Sequence, residues 1–175
     1  MTTAKNGLSA KTLERTLGAS YRVAMVRAER ERLSGDVEVD ETLVGGVEKG
    51  GKRSRGTSKC IVVIAVEVRQ PKGFGRMRHI PDASGVNLLP FVCDVVVPGA
   101  VVLTDGWGGY NDLPAHGYTR KKTVLSSSGD PAHVSMSGVH RVSSLLKWWI
   151  LGAHQGSIVP AHLQSYLEEF TFRFN

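Results

Sequence analysis

The sequence predicts an α/β fold: a mixed sheet with helices on its faces, preceded by a short helical segment. Apolar and polar residues alternate over residues 37–42, the period of a strand. The valine-rich run at 100–103 is typical of a strand buried on both faces. Apolar residues recur at helical spacing over 85–97 and 139–151. Strands followed by helix, strand, strand and helix indicate a layered architecture with a mixed sheet.

The first 35 residues differ in character from the rest of the chain. Apolar residues at helical spacing predict short helices at 10–17 and 21–32, parted by a glycine turn at Gly18. This is a helix-turn-helix outline. The strand pattern begins directly afterwards, so we divide the chain into residues 1–35, a partial helix-turn-helix-like DNA-binding segment, and residues 36–175.

The remaining elements follow in order. Strands are predicted at 60–68 and 73–80, forming a meander with the first strand, and at 118–124. In the helix at 85–97, Pro90 is tolerable only in the first turn. The helix at 139–151 is expected to turn Val139, Val142, Leu145, Leu146, Trp149 and Ile150 inward, and a last helix covers 160–170.

Length and composition limit the class of protein. A chain of 175 residues is one ordinary domain with a short appendage. Lysine and arginine (22) exceed aspartate and glutamate (16), and the net charge of +6 favours a polyanionic partner. No apolar stretch approaches the roughly 18 residues of a membrane span, and the N-terminus lacks the apolar region of a secretory signal. We therefore expect a cytoplasmic protein without a membrane partner.

Two aspartates and a helix make up the candidate chemistry. Asp40 lies on the first strand and Asp105 at the carboxyl end of the buried strand, while His140 and Lys147 lie two turns apart on the helix at 139–151. Two strand-borne carboxylates and a helix-borne ligand are what a two-metal phosphoryl-transfer site needs. The alternatives are an ordinary solvated Asp-Gly turn at Asp105 and a solvated helix face.

A basic loop follows the first strand. Its cations are Lys49, Lys52, Arg53, Arg55 and Lys59, interleaved with glycines and serines. Such a run is usually a solvated surface, but beside a metal site it is a plausible contact for the DNA phosphate backbone.

Four blocks of sequence resemble a known family. They are VEVDETLVGG (37–46), VVLTDGWGGY (101–110), VHRVSSLLKWWILGAHQGS (139–157) and HLQSYLEEFTFRFN (162–175). Together they resemble the catalytic domain of bacterial insertion-sequence transposases of the DDE superfamily, within it the insertion sequence 1595 family, also described as ISXO-two-like transposases. The likeness extends over nearly the whole chain.

The resemblance implies a ribonuclease H-like fold for residues 36–175 and assigns roles to particular residues. Asp40, Asp105 and His140 fall on the three catalytic and metal-binding positions, and Lys147 on a basic position thought to contact DNA. His140 stands where the superfamily usually has glutamate. An imidazole suits Mn²⁺ better than Mg²⁺, or it could act as a general acid or base, and the sequence leaves both roles open.

The implied function is that of a DNA transposase: metal-dependent phosphodiester cleavage and strand transfer at element ends, with a two-metal Mg²⁺ or Mn²⁺ site. Its partners would be double-stranded DNA, from terminal inverted repeats and from the target, and further copies of itself in a synaptic complex. The alternative is a catalytically inactive, truncated transposase remnant with only nonspecific DNA binding, because the sequence lacks the paired cysteines of the zinc ribbon usual in the family. A ribonuclease H-like nuclease that acts without transposition is a third possibility.

Overall fold

The structure, a computed structural model, describes residues 32–45, 59–69, 73–123, 136–154 and 158–175. Its strands are β1 (Asp36–Val44), β2 (Cys60–Glu67), β3 (Gly75–Ile80), β4 (Val101–Thr104) and β5 (Thr119–Lys122). Its helices are α1 (Gly85–Val95), α2 (Ser137–His154) and α3 (Pro160–Phe174), with short 3-10 helices at Gly108–Tyr110 and Leu113–His116. The helices predicted at 10–17 and 21–32 lie outside the described residues, as do Lys49, Lys52, Arg53 and Arg55 of the basic loop.

The five strands form one mixed sheet in the order β3-β2-β1-β4-β5. β1 pairs antiparallel with β2 and parallel with β4, and β5 continues the parallel part at the other edge. A meander of three strands followed by two parallel strands, with helices on both faces, is the ribonuclease H-like arrangement. The predicted fold class is confirmed.

Each face of the sheet carries its own core. Val37, Val39 and Val102 pack with Phe91 on the face that α1 covers. The opposite face packs Val62, Ile64, Met77, Val139, Val142, Leu146, Leu163 and Leu167 beneath α2 and α3. Because alternate residues of a strand point to opposite faces, the sequence of β1 has to satisfy both cores at once. Within the described ranges, no helix has the length and apolar character needed to cross a bilayer.

Two details differ from the sequence predictions. Pro90 is the sixth residue of α1, beyond the first turn, yet the helix continues to Val95. A proline there removes the hydrogen bond to the carbonyl of Val86, and because Val86 is 82% exposed, water can reach that carbonyl instead. Leu145 is exposed rather than inward, because the face of α2 that contacts the sheet is narrower than its apolar stripe.

Candidate active site

Asp40 lies on β1, and Asp105 directly follows the neighbouring parallel strand β4. In the register of β1 and β4, Asp36 pairs with Val101 and Glu38 with Leu103, and Asp40 and Asp105 each stand two residues beyond this last pair. Asp40 follows Val39 of the α1-facing core, so strand alternation points its side chain to the face that α2 covers, and Asp105 directly follows the buried Thr104. The two carboxylates thus lie at the same end of two neighbouring inner strands of the sheet.

Asp105 is held in a tight turn at the end of β4. Its Oδ1 accepts a hydrogen bond from the backbone N–H of Trp107 at 2.9 Å, and the indole Nε1 of Trp107 donates to the carbonyl of Ala83 at 2.6 Å. The turn approaches α1 so closely that a Cβ on Gly109 would lie 2.8 Å from the Ala83 carbonyl oxygen. The glycines of this block therefore allow the turn to pack against α1.

The hydroxyl of Tyr110 lies beneath the carboxylates. The ring is fully buried, and burial raises the pKa of Tyr110 well above its usual value. The charge of Glu41 raises this pKa further, as do the charges of Asp40 and Asp105. A neutral tyrosine that senses three carboxylates shows that negative charge is concentrated at this end of the sheet.

Lys147 of α2 brings positive charge to the same place. Partial desolvation lowers the pKa of the exposed Lys147, the neighbouring charge of Lys59 lowers it further, and Asp40 opposes the change. Lys59 precedes β2, whose first residue pairs with Val44 at the end of β1. Lys147 and Lys59, two of the predicted DNA-binding lysines, therefore lie close enough to interact, and Lys147 also lies close to Asp40.

Glu38 holds the beginning of α2. The side chain is only 5% exposed, and its Oε2 accepts a hydrogen bond from the backbone N–H of Val139 at 2.7 Å. Burial raises the pKa of Glu38, whereas the N–H groups of Val139 and Gly138 and the charge of His140 lower it. A Cβ on Gly138 would lie 2.9 Å from Oε2. A carboxylate from β1 thus caps the helix that carries His140 and Lys147.

The donor set fits a hard divalent cation in part. Asp40 and Asp105 offer carboxylate oxygens, and Mg²⁺ is usually bound by one or two carboxylates, completed by water and substrate phosphates. Across the five described ranges, no group of three or more His, Cys, Asp or Glu side chains is placed to hold a metal ion. The role of His140, which lies near Glu38, as a third ligand stays a prediction.

Comparison with known families gives this arrangement a context. A family model described as the ISXO2-like transposase domain matches residues 32–175. The chain belongs to this family. It is a transposase domain of the DDE superfamily, whose members generally use divalent metal ions.

Among solved structures, the chain is similar to the catalytic core domain of BIV integrase, with 17% sequence identity and a TM-score of 0.48. That likeness covers 79% of this chain and 81% of the integrase chain. None of the curated proteins matches this chain.

Three residues of this transposase domain escaped the sequence analysis. Glu38 belongs to the same polar side of β1 as Asp40, and alternation alone does not separate a helix cap from a catalytic group. Tyr110 ends the block that carries Asp105, and Arg120 lies on the edge strand β5, where its sequence neighbours are lysines. Arg120 contacts the turn after β4, which is distant in sequence, and no local sequence pattern predicts such a contact.

Proposed function

We propose that this chain is a DNA transposase that cleaves a phosphodiester bond at the end of an insertion sequence and transfers the freed strand to target DNA. Asp40 and Asp105 hold the metal ions, either Mg²⁺ or Mn²⁺, and His140 is the third group of the site. Residues 36–175 form the catalytic domain and residues 1–35 a DNA-binding segment. The protein acts in the cytoplasm on nucleoid DNA, as a homo-oligomer when it joins two element ends.

One observation supports the proposal: the parallel pairing of β1 with β4 ends two residues before Asp40 and Asp105, so the two aspartates leave neighbouring strands at the same end of the sheet. The charges of Asp40, Glu41 and Asp105 all act on the buried Tyr110, and such a concentration of negative charge favours the binding of a cation. Lys147 and Lys59 add positive charge near Asp40, and this charge favours the binding of DNA phosphates there.

The reaction consists of two in-line displacements at phosphorus. In the first, water attacks the phosphorus at the element end, the bond to the 3′-oxygen breaks, and that oxygen leaves as a 3′-hydroxyl. In the second, this hydroxyl attacks a phosphorus of the target and displaces the target's own 3′-oxygen. Bound metal ions would activate the attacking oxygen and stabilise the leaving one. Asp40 and Asp105 orient the reacting groups, while Lys147 and Lys59 hold the phosphate backbone.

The metal preference tests the role of His140. We expect the wild-type protein to cleave DNA faster with Mn²⁺ than with Mg²⁺, because an imidazole nitrogen suits Mn²⁺ better than the harder Mg²⁺. His140→Glu should shift the preference towards Mg²⁺, since it makes the donor set all-oxygen. The measurement is the rate of cleavage, in each metal, of a plasmid that carries the DNA flanking the coding sequence.

The matched control is His162→Glu, which introduces the same change at an exposed position near the start of α3. It should keep the wild-type preference. If the wild-type protein and His140→Glu both fail to cleave in either metal, the inactive alternative is correct and the proposed function is wrong.

Salt dependence tests the DNA contacts. We expect the logarithm of the binding constant for duplex DNA to fall linearly with the logarithm of salt concentration, because cations on the protein release counterions from the phosphates. Each phosphate contact adds about 0.9 to the slope, so Lys59→Gln with Lys147→Gln should lower it by about 2.

The control removes two charges at the other end of the sheet. Arg69 and Arg141 are exposed and line one cleft where β2 ends, away from Lys59 at its start. Arg69→Gln with Arg141→Gln should leave the slope closer to that of the wild-type protein. Equal losses in the two double variants would show that net charge, rather than this surface, binds DNA.

A further inference from the structure

Arg120 donates four hydrogen bonds to the segment that begins at Thr104. Its Nε donates to the Thr104 hydroxyl at 2.9 Å and its Nη1 to the side-chain oxygen of Asn111 at 2.7 Å. Its Nη2 donates to the backbone carbonyls of Asp105 and Trp107, at 3.0 and 2.8 Å. A single guanidinium on β5 therefore joins the end of β4 to both sides of the turn that follows it.

These bonds act on the carboxylate of Asp105 through the backbone. The N–H of Trp107 holds Oδ1 of Asp105, and the carbonyls on either side of the intervening glycine both accept from Nη2. Gly106 would otherwise leave this turn free to adopt several conformations. With both carbonyls fixed, the Asp105 side chain keeps the orientation in which Oδ1 accepts from the N–H of Trp107.

The donors of Arg120 are committed to the protein. A guanidinium carries five N–H groups, and the four bonds leave one of them for any other partner. The Cζ atom also lies 5.7 Å from the centre of the Tyr110 ring. Although Arg120 is a basic residue beside a DNA site, it lacks the free pair of donors that a two-pronged phosphate contact requires.

We propose that Arg120 is a positioning residue that fixes the turn after β4 and so holds Asp105 in its metal-binding orientation. This role rests on the proposed function for Asp105 as a metal ligand. The positive charge of Arg120 by itself opposes metal binding, because it lies beside a site for divalent cations. A merely electrostatic Arg120 would weaken metal binding by repulsion, whereas a positioning Arg120 strengthens it.

Two measurements on DNA-free protein separate these roles. Amide hydrogen exchange at Trp107 reports the turn itself, and Mn²⁺ binding, followed by electron paramagnetic resonance of the free ion, reports the metal site. In Arg120→Gln and Arg120→Lys we expect exchange at Trp107 to become about tenfold faster. We expect Mn²⁺ to bind about tenfold more weakly in both variants. Lysine keeps the charge but cannot reproduce the planar fork, so it should not restore either value.

Lys122→Gln is the matched control, because it removes the same charge from an exposed position on the same strand. It should leave exchange at Trp107 unchanged and should not weaken Mn²⁺ binding. Tighter Mn²⁺ binding in Arg120→Gln, or wild-type values in Arg120→Lys, would overturn the positioning role.

A milder variant covers the case in which Arg120 substitutions prevent folding. Asn111→Ala removes one exposed acceptor of the guanidinium and should change both measurements in the same direction by a smaller factor. Unchanged values would contradict the proposal. A wild-type protein that binds no Mn²⁺ would refute the proposed metal site instead, and exchange at Trp107 would then decide by itself whether Arg120 holds the turn.

Discussion

Asp105→Asn is expected to lower the rate of DNA cleavage by about 1,000-fold or more, with either Mg²⁺ or Mn²⁺. The substitution removes a negative charge from the pair that holds the metal ions, and metal stabilisation of a phosphoryl-transfer transition state is worth several kcal/mol. Asparagine keeps a side-chain oxygen that can accept from the N–H of Trp107, so the turn itself should survive. The measurement is plasmid cleavage under single-turnover conditions.

The control for this variant is Asp112→Asn, an exposed carboxylate a few residues further along the chain. It should cleave at the wild-type rate. DNA affinity of Asp105→Asn should stay equal or rise, because a negative charge has been removed from the binding surface. Cleavage by Asp105→Asn within tenfold of the wild-type rate would contradict a metal-binding role for Asp105.

Strand parity explains why part of this site could be predicted from the sequence. Asp40 follows an alternating run and Asp105 follows a short apolar run, and both patterns specify where a side chain stands at the end of its strand. The parallel pairing of β1 with β4 then places both aspartates at the same end of the sheet, two residues beyond the last paired residues. The fold class follows from the same patterns, because a period of two residues marks strands such as β1 and a period of about 3.6 marks helices such as α2.

The contacts between elements could not be predicted in this way. Glu38 lies on the polar side of β1, which by its composition should face water, yet it is nearly buried against the start of α2. The reason is that the first turn of α2 needs an acceptor for its free N–H groups, and a polar strand face can supply one. Arg120 likewise acts on residues up to 16 positions away. These contacts between distant residues depend on how the elements pack, and packing produces no periodic pattern in the sequence.

Glu38→Ala should therefore destabilise the domain by about 1–3 kcal/mol, although Glu38 lies outside the aspartate pair. Alanine leaves the N–H groups of Gly138 and Val139 without their acceptor in a nearly buried site, and an unsatisfied buried donor costs about that much. Urea unfolding gives the free energy, and amide exchange at Gly138 and Val139 locates the loss. Asp36→Ala, at the exposed start of β1, should change the free energy of unfolding by less than about 0.5 kcal/mol.

Glu38→Gln separates the cap from the charge. The amide oxygen of glutamine can still accept from Val139, so this variant should retain most of the stability and slow exchange at the start of α2. Because α2 carries both His140 and Lys147, Glu38→Ala should also cleave DNA more slowly than Glu38→Gln. If both variants unfold at the urea concentration of Asp36→Ala, then α2 is held by its apolar face alone. The position of its two functional side chains would in that case depend on the packing of Val142 and Leu146 rather than on the cap.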